Sequence, residues 1–201
     1  MNNCVAELIQ LDVDKALPII KEALADDNAT TRKHVIYTLG SIGNSRFIPL
    51  IKKHLVDQDT KVRSTSVRCL GKICGNDELH TFKKLLNSDN NADALEELFR
   101  IDKEGTISIL EEILNRKCKG SPCHSLHILA ITLLKEVDRQ ISQPLLEKAF
   151  KTYRDWYTRY HILGVLDDVA GHNAIKTFKT ASKCKNKHVR NKAIEIMKKY
   201  K

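Results

Sequence analysis

The side chains best suited to metal chemistry lie close together in the middle of the sequence. Cys118 and Cys123 are followed directly by His124, and His127 lies three residues further on. Two thiolates and two imidazoles form a ligand set that zinc accepts. Zinc sites of this kind usually include a second paired cluster, and the other cysteines form none. We therefore predict a loop with incidental cysteines, no metal site and no cofactor.

A cysteine pair followed by histidine also resembles the longer variant of the haem c attachment motif, but that attachment requires export. The first residues lack the basic and apolar segments of a signal peptide. No apolar run approaches the roughly 18–20 residues that span a bilayer. We therefore expect a cytoplasmic protein with reduced cysteines and no membrane partner.

The basic residues are the second group of side chains that could bind a ligand or a partner. The chain of 201 residues carries 34 Lys and Arg against 25 Asp and Glu, a net charge of +9. Residues 171–201 hold ten of these basic residues and one acidic residue, so residues 1–170 are neutral as a whole. This excess of positive charge in residues 171–201 predicts an acidic partner. The candidate contacts are Lys176, Lys179, Lys183, Lys185, Lys187 and Arg190.

An internal repeat must position these side chains. Residues 27–43 and 58–74 align without a gap at an offset of 31, which places Arg32 opposite Arg63 and Gly40 opposite Gly71. A later copy follows the first by 127 residues, with Arg159 in the arginine position. Apolar residues recur at three- and four-residue steps in two halves of each copy, separated by Gly, Asn and Asp. We count about 5.5 helix pairs, and stacked pairs of this kind bury a continuous core.

The pattern of Asp59, Val62, Arg63, Leu70, Gly71 and Ile73 resembles the short HEAT-like repeat of phycobilisome-lyase-type proteins. The resemblance covers nearly the whole chain, more weakly over residues 89–152. It implies an all-α fold, a right-handed α-α superhelix of the HEAT or armadillo type, as a single domain over residues 1–201. It also implies that second helices line a concave face, and that the chain is a binding scaffold.

Four lysines of the second helices repeat at the same offset, since Lys52 and Lys53 match Lys83 and Lys84. On the concave face they would form a positive stripe able to meet phosphates or an acidic protein. The acidic residues Glu111 and Glu112 interrupt this row in the next copy. The alternative is that these long side chains only solvate the exposed edge of a helix.

Two classes of catalytic HEAT-type proteins can be compared with the chain. Hydroxylases of the deoxyhypusine class carry repeated His-Glu pairs, and no such pair occurs here. HEAT-like DNA glycosylases use a cluster of Trp, Asp and Arg, for which the nearest candidates are Asp155, Trp156 and Arg159. We favour a packing role for Trp156 and Tyr160, because this segment heads a first helix, which should face outward.

We therefore predict a non-catalytic scaffold or adaptor that binds a protein with an acidic surface through its concave face and its basic C-terminal end. The first alternative is nucleic-acid binding through phosphate contacts. Base stacking is not expected, because aromatic residues are sparse among the basic ones. A glycosylase-type enzyme is the weaker alternative.

Overall fold

The computed structural model of the protein describes residues 13–116 and 121–200, and for residues 121–124 it describes the backbone alone. All regular elements in these ranges are helical, which confirms the predicted all-α class. The contacts divide into two compact units, residues 1–102 and residues 103–201. The single domain and the right-handed superhelix remain predictions. No helix in the described ranges is long and apolar enough to cross a membrane.

Unit 1 alternates first helices of 11–15 residues with second helices, two of which have only six and seven residues. Its helices are α1 (Val13–Leu24), α2 (Ala29–Ile42), α3 (Ile48–Lys53), α4 (Thr60–Cys74), α5 (Leu79–Leu85) and α6 (Asn91–Ile101). The polar clusters between the repeat halves start and stop these helices. The Asn28 side chain accepts a hydrogen bond from the Thr30 amide at the start of α2, and Gly43 ends that helix with a φ of +73°.

The matching glycines of the repeat allow the first helices of unit 1 to approach each other closely. A Cβ atom built on Gly40 would lie 2.5 Å from the Cβ of Cys69 on α4. One repeat later, a Cβ atom on Gly71 would lie 2.7 Å from the Cδ of Glu97 on α6. Glycine therefore occupies this position because the neighbouring first helix leaves no space for a side chain.

The matching arginines hold the loops that precede their helices. Arg32 donates from Nη1 to the carbonyl oxygens five and six residues before it, at 3.0 and 2.8 Å. Arg63 and Arg190 make the same two bonds to their own loops. The Nε and Nη2 of Arg32 also donate to the carboxylate of Asp57, which belongs to the loop after the next helix. This arginine therefore ties two successive loops together.

Unit 2 repeats the alternation of long and short helices in its second half. Its helices are α7 (Lys103–Asn115), α8 (Ser121–Leu133), α9 (Arg139–Thr152), α10 (Trp156–Ala170), α11 (Ile175–Ala181) and α12 (Lys187–Lys198). Helix α10 packs against α8, α9 and α12. The core of this unit includes Phe150, Leu166 and Phe178, all of them 2% exposed or less.

Candidate partner-binding surfaces

The predicted lysine row of unit 1 lies on two short helices that are anchored by buried aromatic and aliphatic residues. Helix α3 buries Ile51 and helix α5 buries Phe82, each with no exposed surface. This burial leaves the side chains at the ends of the two helices, Lys52, Lys53, Lys83 and Lys84, exposed. That these four lysines contact a partner stays a prediction.

One lysine of this row has a partner inside the chain. The Nζ of Lys52 lies 2.5 Å from the Oε1 of Glu78, and the other carboxylate oxygen, Oε2, accepts a hydrogen bond from the Thr81 hydroxyl. Burial disfavours the charged form of Glu78, but the hydrogen bonds from Lys52 and Thr81 outweigh it and lower the pKa of this carboxyl. Three lysines of the row therefore keep their charge available, because Lys53, Lys83 and Lys84 form no ion pair with the described residues.

The basic C-terminal end lies on α11, α12 and the loop between them. Both sides of the loop are fixed. The Asn186 side chain caps α12 by accepting hydrogen bonds from the amides of His188 and Val189, at 2.9 and 3.3 Å. Arg190 donates to the carbonyl oxygens of Cys184 and Lys185, at 3.0 and 3.1 Å. The loop therefore presents its lysines from a fixed backbone.

The charges on this loop and the two helices are largely uncompensated. Two ion pairs join residues 171–200 to carboxylates, Lys192 with Glu195 and Lys199 with Asp167. In the described part of the chain no carboxylate pairs with the remaining candidates, and we call this group the cationic end. It consists of Lys176, Lys179, Lys183, Lys185, Lys187 and Arg190. The five lysines are exposed and Arg190 is half-buried.

The candidates for glycosylase-type chemistry make separate contacts. Asp155 caps α10 by accepting a hydrogen bond from the Thr158 amide at 2.7 Å. The Trp156 ring lies 4.8 Å from the ring of His188, measured between centroids. The Arg159 guanidinium carbon lies 4.2 Å from the centroid of the Phe150 ring. The three side chains therefore do not converge on one point.

Trp156 and Tyr160, for which we favoured a packing role, each contact α12 and also keep exposed surface. Trp156 is 44% exposed and Tyr160 is 37% exposed, and Tyr157 beside them is 43% exposed. Lys192 of α12 lies over the Tyr160 ring, 5.6 Å from its centroid. Trp156, Tyr157 and Tyr160 lie within about 100° of one another around α10, so they share one face of the helix.

The cysteine and histidine string considered for zinc falls mostly outside the described side chains, which exclude Cys118, Cys123 and His124. The predicted loop is wrong for the second half of the string, because helix α8 begins at Ser121 and includes Cys123, His124 and His127. The His127 side chain is 2% exposed. Its Nε2 lies 3.3 Å from the carbonyl oxygen of Arg116. Among the described side chains, no three or more His, Cys, Asp or Glu residues are grouped as a metal site requires.

Comparison with known proteins supports the repeat. Residues 16–98 match the family model described as HEAT repeats. This confirms the predicted HEAT-like resemblance in that range, while the narrower phycobilisome-lyase type stays a prediction. No curated protein matches the sequence of the chain.

Two crystal structures of engineered proteins from the Northeast Structural Genomics Consortium are similar to the chain. The first is 15% identical, with 89% of this chain and 94% of that protein aligned at a TM-score of 0.47. The second is 16% identical, and the alignment spans 96% of this chain and 60% of that protein, also at a TM-score of 0.47.

Proposed function

We propose that the protein is a non-catalytic interaction scaffold whose cationic end binds an acidic segment of a partner protein. The match of residues 16–98 to the HEAT-repeat family model supports the scaffold role. One observation carries this proposal. Ten basic residues and one acidic residue occupy positions 171–201, and the six members of the cationic end have no carboxylate partner in the described structure. A polar surface at the end of a repeat array needs charge for solubility, but not charge of a single sign.

Electrostatics favours an acidic occupant. Lys183 and Lys185 are alternate residues of the loop and Lys187 begins α12. The Cα atoms of alternate residues lie at most about 7 Å apart, which is less than the Debye length of about 8 Å at physiological ionic strength. The lysine charges repel one another in the free protein, and an acidic segment would relieve that repulsion. The fixed loop backbone means that little conformational freedom is lost on binding, which supports affinity.

The remaining lysines of unit 1 are proposed as a second contact. Lys53, Lys83 and Lys84 are exposed on α3 and α5, and the repeat places them at equivalent positions. Lys52 contributes less, because its ion pair with Glu78 would have to be given up first.

The experiment is a binding titration with a fluorescein-labelled hexaglutamate peptide, followed by anisotropy at several salt concentrations. The test variant is Lys183→Glu/Lys185→Glu. A matched control, Lys61→Glu/Lys72→Glu, makes the same change in net charge at two exposed lysines of unit 1. We expect the test variant to weaken binding about tenfold, since each lost pair contributes up to about 1 kcal/mol and each reversal adds repulsion. The control should change affinity less than about twofold.

Two results would contradict the proposal. If wild-type protein does not bind the peptide even at low salt, the cationic end is not an acidic-segment site. If both variants weaken binding equally, the net charge of the whole molecule explains the affinity.

Nucleic-acid binding is the second candidate function, and the exposed rings of Trp156, Tyr157 and Tyr160 favour it. Aromatic side chains beside basic ones can stack on the bases of a single strand. The same titration with a labelled single-stranded oligonucleotide and a DNA duplex separates the two functions. Tight, steeply salt-dependent binding of the oligonucleotide that is lost in Trp156→Ala would replace the protein partner by a nucleic acid.

A further inference from the structure

The repeated arginine finds a charged or polar acceptor after the next helix in both copies of unit 1. Arg32 donates from Nε and Nη2 to the two carboxylate oxygens of Asp57, at 2.9 and 2.7 Å. Arg63 donates from Nε to the side-chain oxygen of Asn90 at 3.2 Å. The position therefore normally holds a guanidinium whose Nε has an oxygen acceptor from the following loop.

Arg159 occupies this position in unit 2 and has no such acceptor. Its Nε is buried and finds no hydrogen-bond partner in the described part of the chain. The reason lies in the following loop. The residue 127 positions after Asp57 is Cys184, whose sulfur lies 4.0 Å from the carbonyl oxygen of Thr180. A thiol in place of the carboxylate leaves the Arg159 charge uncompensated, and the guanidinium stacks on Phe150 instead.

A cavity of about 290 Å³ opens beside this arginine. Phe150, Lys151 and Thr180 line it, together with Glu147 and Lys176. Three cationic side chains therefore face one carboxylate. That carboxylate is already engaged, because the Gln143 amide donates to Glu147 at 3.2 Å. The space and the charge together suit a small oxyanion.

We propose that this cavity, the Arg159 pocket, binds a carboxylate side chain from the partner's acidic segment, in the role that Asp57 plays for Arg32 within the chain. The inference rests on the proposed function, because the cationic end would bring the acidic segment to the pocket, with Lys176 shared by both. A carboxylate is favoured over a phosphate because the same arginine position already binds a carboxylate inside this molecule. A guanidinium without an acceptor inside the chain can bind a carboxylate through charge-assisted hydrogen bonds.

The first test removes the guanidinium and follows both affinity and the arginine itself. The probe is the hexaglutamate peptide, with acetate and inorganic phosphate as separate ligands. The side-chain Nε–H signal of Arg159 in ¹H–¹⁵N spectra, assigned by its loss in Arg159→Gln, reports occupancy directly. We expect this signal to shift saturably with the peptide. Arg159→Gln should weaken peptide binding about tenfold. The control Arg154→Gln removes an exposed arginine just before α10, and it should weaken binding less than about twofold.

The second test fills the pocket from within the chain. Cys184→Asp restores the residue type that Arg32 uses, so its carboxylate should bind Arg159 and exclude the peptide. We expect a shifted Arg159 signal without any ligand and a loss of peptide affinity as large as in Arg159→Gln. Asn186→Asp is the matched control, because it adds the same charge two residues away and keeps the cap of α12. Circular dichroism checks that each variant keeps the helical content of the wild type.

The outcomes separate the two proposals. If Arg159→Gln and Cys184→Asp bind the peptide like the wild type while Lys183→Glu/Lys185→Glu does not, the Arg159 pocket is overturned and the cationic end stands. An Arg159 signal that responds to phosphate but not to peptide or acetate also overturns the carboxylate assignment. An Arg159 signal that responds to the peptide in the wild type but not in Cys184→Asp supports carboxylate binding in the Arg159 pocket.

Discussion

The ion pair between Arg32 and Asp57 gives the most quantitative test of how the repeats of unit 1 are held together. Both side chains are more than nine-tenths buried, at 6% and 8% exposed. The carboxylate also accepts a hydrogen bond from the Asp59 amide at 2.9 Å. Asp57→Leu keeps the branching of the side chain at Cγ and removes the charge, so the guanidinium is left in a buried site without its partner.

The expected cost follows from that burial. Removing one member of a buried ion pair typically destabilises a protein by about 3–5 kcal/mol, because the other charge stays desolvated. Arg32 keeps two backbone acceptors, so we expect the lower end, about 3 kcal/mol. By the same reasoning Arg32→Met/Asp57→Leu, which removes both charges, should cost less than Asp57→Leu alone.

The contribution of the pair should also depend on pH. The hydrogen bond from Arg32 outweighs the opposing effect of burial and lowers the pKa of Asp57 from its ordinary value of 3.8. A carboxyl with a lowered pKa in the folded state stabilises the fold above its unfolded pKa and loses that contribution as the pH falls through the folded one. The difference between wild type and Asp57→Leu should therefore be largest at neutral pH and shrink below pH 3.8.

Equilibrium unfolding in urea, at neutral and at acidic pH, measures these differences. Asp89→Asn is the matched control, because Asp89 is 92% exposed and lies 3.9 Å from Arg63. It should cost less than about 1 kcal/mol. A cost of Asp57→Leu no larger than that of the control, or one that does not shrink in acid, would refute the reasoning.

Two further substitutions test the packing and the capping of the first helices by thermal unfolding. Gly40→Ala should destabilise the protein by about 1–3 kcal/mol, since the new methyl group would overlap Cys69. In the control Gly164→Ala the new methyl group meets no neighbour within 4 Å, so the change should be neutral or stabilising by up to about 1 kcal/mol. Equal effects of the two substitutions would contradict the close approach of the helices. Asp155→Ala should cost about 1 kcal/mol through loss of the cap on α10, and hexaglutamate affinity that falls with it would show that Asp155 does more than cap the helix.

Much of the local structure of unit 1 could be predicted from the sequence. Two ungapped copies of one pattern identify the helix pairs, because apolar spacing and capping residues are local properties of the chain. The matching of Gly40 with Gly71 also predicted that glycine matters at this position. The close approach of the next first helix, which explains the glycine, is a property of the packed unit.

The sequence predicts which basic residues form the candidate site, but not which of them are free to contact a partner. Counting charges locates the cationic end, because residues 171–201 contain almost no acid. Counting cannot show that Lys52 is bound to Glu78, because that ion pair depends on how α3 meets the turn before α5. Nor could it show that Trp156 and Tyr160 contact His188 and Lys192, since those contacts depend on how α10 packs against α12.

Arg159 shows the difference between what the sequence determines and what only the tertiary structure determines. The sequence by itself determined that unit 1 is built of repeated helix pairs and where the positive charge accumulates, because these depend on neighbours along the chain. The tertiary structure decided which arginines are satisfied, because their acceptors lie about 25 residues away on another loop. The same residue type therefore joins two loops at Arg32 and faces an open cavity at Arg159.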